Sequence, residues 1–389
     1  MNFQPLRDFL DYYLPMIGVP GSDTVIYMDH KEIFRHTAGF NSLSLRTPMR
    51  KDLIYNIYSC SKLATAVAAL QLIERGELVV TDPVYAYLPE FKNLTVKVKD
   101  SAGNVVGTRP AEKTMLISHL LTMTSGMNYD THSKSIEQEI AATEGRAPTV
   151  EVCRAMAKEP LEFEPGDDYY YSLSLDVMAA VVEVVSGQRF SDYMAENVFL
   201  PLGMKDTGYH PDPTKRDRFA TQYAYDKVTH RITEIPFEQC HCRFGVDYDC
   251  GGGGIVSTVD DYILLVDALA NGGVAKNGNR ILCSRSVELM RANALNPKQN
   301  ATFATQWNSG YGYGYAVRTN IDPFPSGNLT PKGAFGWDGY RLCVAHADPE
   351  NRLAMFHAEH MGGLHGVVIP RLRNLIYSCL EYKAGELML

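Results

Sequence analysis

Between Leu63 and Ile73 only Thr65 and Gln71 interrupt an apolar run, so a helix here has almost no polar face before Glu74-Arg75-Gly76. A helix that is apolar all round is stable only when buried on every side. The run falls short of the roughly 18 residues that cross a bilayer, so the chain has to build a soluble core around it. Its first turn, Ser59-Cys60-Ser61-Lys62, therefore opens on an interior or on the floor of a cleft. At 389 residues the chain is about twice the size that one core serves well, which predicts two packed parts rather than one.

Residues 5–16 place Leu6, Phe9, Leu10 and Tyr13 on one stripe of a short amphipathic helix. The runs Thr24 to Met28 and Glu32 to Gly39 flank Asp29-His30-Lys31 and read as a hairpin. Towards the other end, Tyr340, Leu342, Val344 and His346 alternate as an outgoing strand. Asp348-Pro349-Glu350-Asn351 makes the turn and Leu353, Met355 and His357 return. A helix from about Arg371 to Tyr382 closes the chain. Between these ends the sequence is helix-rich: Met115 to Met123, Ser135 to Ala142, Val150 to Lys158, and Leu173 to Val185 with Gly187 as its stop. Asn296 to Gly312 reads as a polar loop. The sum is an α/β chain of the α+β type. Residues 1–80 and 251–389 form an antiparallel sheet domain flanked by the terminal helices, and 81–250 form an inserted, mainly helical domain.

Lys and Arg number 37 against 45 Asp and Glu, a net charge of −8. Nucleic-acid binding needs a basic surplus and anionic membranes need a polybasic handle, so neither partner is expected. The N-terminal stretch carries Asp8 and Asp11 within its apolar residues and lacks the pattern of a secretory signal, which predicts a cytoplasmic location. In that compartment Cys60, Cys153, Cys240, Cys242, Cys250, Cys283, Cys343 and Cys379 read as reduced thiols.

Ser59 and Lys62 are three apart, so on a helix their side chains share a face, and no other serine in the chain has a lysine at that spacing. A serine hydroxyl becomes a useful nucleophile when a base takes its proton. A lysine serves as that base if burial and the positive end of the helix bring its pKa down from about 10.4 towards neutrality. The plainer account is a chance spacing with a solvated Lys62. Two further groups carry chemistry. Tyr171, after the turn Phe163-Glu164-Pro165-Gly166 and at the mouth of a helix, can relay a proton, or it packs as an ordinary half-buried tyrosine. In Gly336-Trp337-Asp338-Gly339-Tyr340 the glycines admit a ligand to the backbone, so the Tyr340 amide and that of Ser59 can hold an oxyanion; the bland alternative is a strand bend.

The remaining candidates are weaker. The run Gly251 to Gly254 lacks the Gly-Lys-Ser/Thr of a phosphate loop. Cys240-His241-Cys242 with Cys250, and His357 with His360 and His365, lack the spacing of a zinc site, so no metal and no cofactor is expected. No Gly-x-Ser-x-Gly elbow occurs, which disfavours an ordinary α/β-hydrolase. Cys60 turns about 100° away from its neighbour on a helix and reads as packing.

Taken together, several blocks carry a resemblance. Ser59-Cys60-Ser61-Lys62 precedes an Ala-rich helix ending Glu-Arg-Gly-Glu-Leu, followed by Asp82-Pro83 and Tyr87 to Phe91. Then come Ile117 to Gly126, Phe163 to Gly166 with Tyr171-Ser172, and Gly251 to Thr258. In this order they resemble the serine β-lactamase and penicillin-binding protein superfamily, in its class C-like branch with the family VIII carboxylesterases. The resemblance implies a β-lactamase/transpeptidase-like fold, Ser59 as acylated nucleophile, Lys62 as general base and Tyr171 as proton relay.

Two departures shape the expected function. Antibiotic-hydrolysing members have an asparagine where this chain has Leu173, and Lys-Thr-Gly where it has Trp337-Asp338-Gly339. A lysine there matches the carboxylate of a β-lactam or a peptidoglycan stem; Trp337 offers no charge, and an inward Asp338 repels one. The expectation is a serine hydrolase that cleaves carboxylic esters through an acyl-enzyme on Ser59 with Lys62 and Tyr171, a small-molecule ester or amide as its partner, and Trp337, Asp338, Gly339 and Tyr340 as substrate-binding residues. β-Lactamase, D-amino-acid peptidase, acyltransferase and a non-catalytic member remain as alternatives.

Overall fold

The structure is a computed structural model that describes residues 1–226, 228–304 and 308–381. Its scaffold is an antiparallel eight-stranded sheet. The strands are β1 (Gly21–Met28), β2 (Lys31–Ser42), β3 (Thr47–Pro48), β4 (Tyr311–Tyr313), β5 (Arg318–Asn320), β6 (Phe335–Asp338), β7 (Cys343–Asp348) and β8 (Leu353–Ala358). They lie side by side as β4-β5-β6-β7-β8-β1-β2-β3, so the two ends of the chain meet where β1 pairs with β8. The N-terminal hairpin turns on Asp29 and His30 at φ of 50° and 64°, the pair of left-handed residues that suits the twist of a two-residue hairpin.

The C-terminal hairpin differs from the expected one at its start. β7 begins at Cys343, not Tyr340, because Gly339 to Leu342 form a tight turn closed by the Leu342 N–H on the Gly339 carbonyl at 2.9 Å, with Leu342 at φ 62°. Tyr340 is thus displayed on a turn and is 63% exposed.

Four helices position the site: α1 (Ser61–Glu74), α2 (Ser174–Ser186), α3 (Val259–Ala270) and α4 (His365–Glu381). α1 is buried from Ser61 to Leu72, as its lack of a polar face requires. Gly187 ends α2 at φ 67°. α3 lies against the sheet, where Tyr262 packs on Phe356 with ring centroids 4.7 Å apart. α4 begins at His365, earlier than the expected Arg371, and its expected end at Tyr382 lies outside the described residues. The stretch read as a polar loop contains a helix, Pro297–Phe303. Asn296 and Gln299 cap it reciprocally at 2.9 Å in both directions, a signal present in Asn-Pro-x-Gln. Residues 305–307 of that stretch lie outside the described residues.

Two apolar clusters lie on the two faces of the sheet. One joins α1, α2, α3 and the helices of the middle of the chain to Val25, Ala345 and Phe356. The other packs Leu6, Phe9, Leu10 and Leu14 with Val368, Ile369, Leu372 and Ile376 against Ile26, Val344 and Met355. Among the described residues no helix is long and apolar enough to cross a membrane.

Candidate active site

The short pair Ile54–Asn56 with Val256–Thr258 brings the start of α1 beside the end of the glycine run. Between that strand and α1 the chain makes one 3-10 turn, Tyr58–Cys60, and Tyr58 sits there at φ 46°, a costly conformation for an aromatic residue. Its ring stands edge-on to Tyr340, with centroids 5.8 Å apart, and its hydroxyl bonds the Gln222 side chain. The surrounding contacts thus hold the backbone immediately before Ser59. The helix starts at Ser61 rather than Ser59, yet the turn still brings Lys62 Nζ within 3.2 Å of Ser59 Oγ.

Tyr171, 112 positions away, donates its hydroxyl to the same Oγ at 2.7 Å. The Trp337 indole N–H donates to the Tyr171 oxygen at 3.2 Å. The Tyr171 ring stacks with both Tyr129 and Trp337, each 5.5 Å away and inclined by 5° and 24°. Lys62, Tyr171 and Trp337, singled out in three separate blocks of sequence, therefore converge on the Ser59 oxygen or its immediate partner.

Lys62 departs from expectation in its charge. It is fully buried, and burial pushes its ammonium down. The phenol groups of Tyr129 and Tyr171 and the Asp176 carboxylate more than offset this, so its pKa stands above the ordinary lysine range rather than near neutrality. The ammonium also donates to the Gly252 carbonyl at 2.6 Å. Asp176 is itself held above the usual carboxylate range by burial, although Lys62 and the Tyr248 hydroxyl, at 2.9 Å, pull it down.

The remaining predicted residues fall in different places. Asp338 takes Arg318 Nη2 on Oδ2 at 2.7 Å, with Arg373 Nη2 3.6 Å from Oδ1. Burial would raise its pKa, but the two arginines bring it below the usual range, so its charge is spent on them. Gly339 lies against the turn that carries Ser59; a Cβ there would stand 2.4 Å from the Ile57 carbonyl oxygen. The Tyr340 N–H has no acceptor among the described residues. Cys60 is buried with Sγ 3.5 Å from the Trp337 carbonyl and 3.4 Å from that of Cys343, and burial pushes its thiol far up. The glycine run serves contact. Lys62 and Thr65 bond the Gly252 and Gly251 carbonyls, and a Cβ on Gly252 would stand 2.6 Å from Asp176 Oδ2.

The three histidines weighed as ligands have separate partners. His357 bonds Thr24 and Glu359, His360 bonds the Asn56 amide and the Ala220 carbonyl, and His365 bonds the Gly339 carbonyl. All eight cysteines are free thiols.

Sequence reasoning missed Tyr129, Asp176 and Arg318. Tyr129 lies three positions beyond the Thr124-Ser125-Gly126 block. Asp176 is a lone acid in the otherwise apolar opening of α2, a pattern that signals a buried carboxylate with a partner.

The sequence profile of the Beta-lactamase family matches residues 6–358. The chain belongs to this family. Within it, Protein Rv1367c of Mycobacterium tuberculosis is 30% identical over 352 residues, covering 87% of this chain and 84% of that protein. Esterase EstB of Burkholderia gladioli is 28% identical over 382 residues, covering 92% and 91%. Among solved structures, EstCE1, a hydrolase with promiscuous acyltransferase activity, superposes with a TM-score of 0.75 at 21% identity and covers 98% of each chain. The fold is the β-lactamase/transpeptidase-like fold, and the protein is a serine hydrolase of this family.

Proposed function

We propose that the protein cleaves small carboxylic esters through an acyl-enzyme on Ser59, in a cleft between the sheet part, 1–80 and 251–389, and the helical part, 81–250. The observation that carries this reading is the Ser59 Oγ, contacted by Tyr171 Oη at 2.7 Å and Lys62 Nζ at 3.2 Å.

Oγ attacks the ester carbonyl, and the amides of Ser59 and Tyr340 receive the oxyanion. With the Lys62 pKa shifted upward, Lys62 acts in this reading as an ammonium and Tyr171 does the transfer. The Tyr171 hydroxyl, which donates to Oγ in the resting site, turns towards the leaving alcohol oxygen. Its oxygen then takes the Ser59 proton as its own proton passes to that leaving oxygen, and the adjacent ammonium stabilises negative charge on Oγ meanwhile. Water then attacks the acyl-enzyme and the relay runs in reverse.

The rings of Tyr129, Tyr171 and Trp337 offer an aromatic wall, and Asp338 is committed to Arg318, so nothing at the third motif recognises a substrate carboxylate. A neutral ester fits such a wall better than a β-lactam or a D-alanyl peptide does. The name of EstB, an esterase, points the same way.

Hydrolysis of p-nitrophenyl esters by the wild type and Ser59→Ala tests the reading, with intact mass after fluorophosphonate treatment. Expected are turnover in the wild type, loss of at least about a thousandfold in the variant, and one adduct that disappears with Ser59. Turnover surviving in Ser59→Ala, or higher rates on a chromogenic cephalosporin than on any ester, would overturn it.

A further inference from the structure

The Gly339 carbonyl oxygen accepts two hydrogen bonds, from the Leu342 N–H of its own turn at 2.9 Å and from His365 Nε2 at 2.9 Å. A carbonyl only accepts, so the Nε2 of His365 carries its hydrogen. That carbonyl and the Tyr340 N–H belong to one peptide group. The bond is trans, so C=O and N–H point in opposite directions from a single plane. Whatever grips the oxygen from behind sets the direction of the N–H in front.

Resting on the esterase reading above, we propose that His365 is a positioning residue for the oxyanion hole. It anchors and polarises the Gly339–Tyr340 peptide so that the Tyr340 amide is aimed at the oxyanion. The Leu342 bond closes the turn but ties the peptide only to its own loop. His365 ties it to the first residue of α4, whose Val368, Ile369 and Leu372 are packed in the cluster on the far face of the sheet. The turn's other side is fixed too, since the Gly339 N–H donates to the Cys343 carbonyl at 2.7 Å. A bond donated into a carbonyl also strengthens the N–H of the same peptide as a donor, by about 10–30%. The Tyr340 N–H, free of any acceptor among the described residues, is thus held ready for one.

The test compares wild type, His365→Leu, which removes the donor, and His365→Gln, whose amide restores an N–H of similar reach. Read out are kcat and KM on a p-nitrophenyl ester and inhibition by an alkyl trifluoromethyl ketone, whose adduct on Ser59 carries the oxyanion. Removing a direct oxyanion donor costs about a hundredfold or more, so loosening one should cost about tenfold. The expected result for His365→Leu is kcat down about tenfold, KM within about threefold and ketone inhibition weakened by the same factor as kcat, with His365→Gln close to wild type. If leucine unfolds the protein, His365→Asn, too short to reach the carbonyl, takes its place. Unchanged kcat in the donor-less variant, a loss confined to KM, or an equal loss in His365→Gln would overturn the proposal alone. A wild type without ester turnover or a Ser59 adduct would overturn the esterase reading, and this proposal with it.

Discussion

The Trp337 indole N–H donates to the Tyr171 oxygen at 3.2 Å while the two rings stack 5.5 Å apart. Trp337 is therefore a direct partner of Tyr171, the proposed proton relay. Trp337→Phe keeps the stack and removes the bond. One hydrogen bond of about 0.5–1.5 kcal/mol predicts a fall in kcat of about twofold to tenfold at near-constant KM, read by steady-state ester kinetics. Trp337→Lys should abolish esterase activity without creating cephalosporin hydrolysis. Arg318, 5.5 Å from the Trp337 ring, already takes the Asp338 carboxylate, so that acid is not left to pair with a new ammonium. A gain in nitrocefin turnover in this variant would contradict the argument.

Lys62 acting as a charged group makes a second prediction. Lys62→Met should lose at least about a thousandfold in kcat/KM at every pH from 6 to 9. The wild-type profile should lack a rising limb from deprotonation of a lysine near neutrality, because the Lys62 pKa is shifted upward. A profile that climbs tenfold per pH unit through 7 and flattens in Lys62→Met would restore the neutral-amine base.

Gly252 has no room for a side chain. An alanine Cβ would lie 2.6 Å from Asp176 Oδ2 and 3.4 Å from Lys62 Nζ. Overpacking of this kind costs about 1–3 kcal/mol, so Gly252→Ala should lower the denaturation midpoint. It should also cut ester turnover more than Gly208→Ala does, where a Cβ meets nothing within 4 Å.

Two buried histidines set a pH dependence of stability. Burial brings His346 down to about 3 and His360 down to about 4, so both stay neutral in the folded protein well below the usual range. An unfolded histidine takes up a proton below about 6.5. Between that value and the folded pKa only the unfolded state gains a proton, so these groups make stability fall as pH falls. From pH 7 to 5.5 each contributes a loss of about 1 kcal/mol. Urea unfolding at the two pH values should show this loss shrinking by that amount in His346→Leu, even if the variant is less stable at pH 7.

What the sequence determined by itself is what short-range physics settles. The apolar run of α1 dictates burial, the Asp29-His30 pair makes the hairpin turn, Gly187 stops α2, and the Ser59 to Lys62 spacing brings those two side chains together whether the turn is α-helical or 3-10. The capping box at Asn296 belongs with these and was readable in four residues. The tertiary structure alone decided the meeting of Tyr171 with Ser59, the capture of Asp338 by Arg318, and the grip of His365 on Gly339. Each joins segments whose separation along the chain says nothing of their distance in space. The upward direction of the Lys62 pKa shift was out of reach of the sequence for the same reason. Burial alone points one way, and the phenols of Tyr129 and Tyr171 with Asp176 reverse it through space in a low-dielectric interior, where a few ångströms decide the sign.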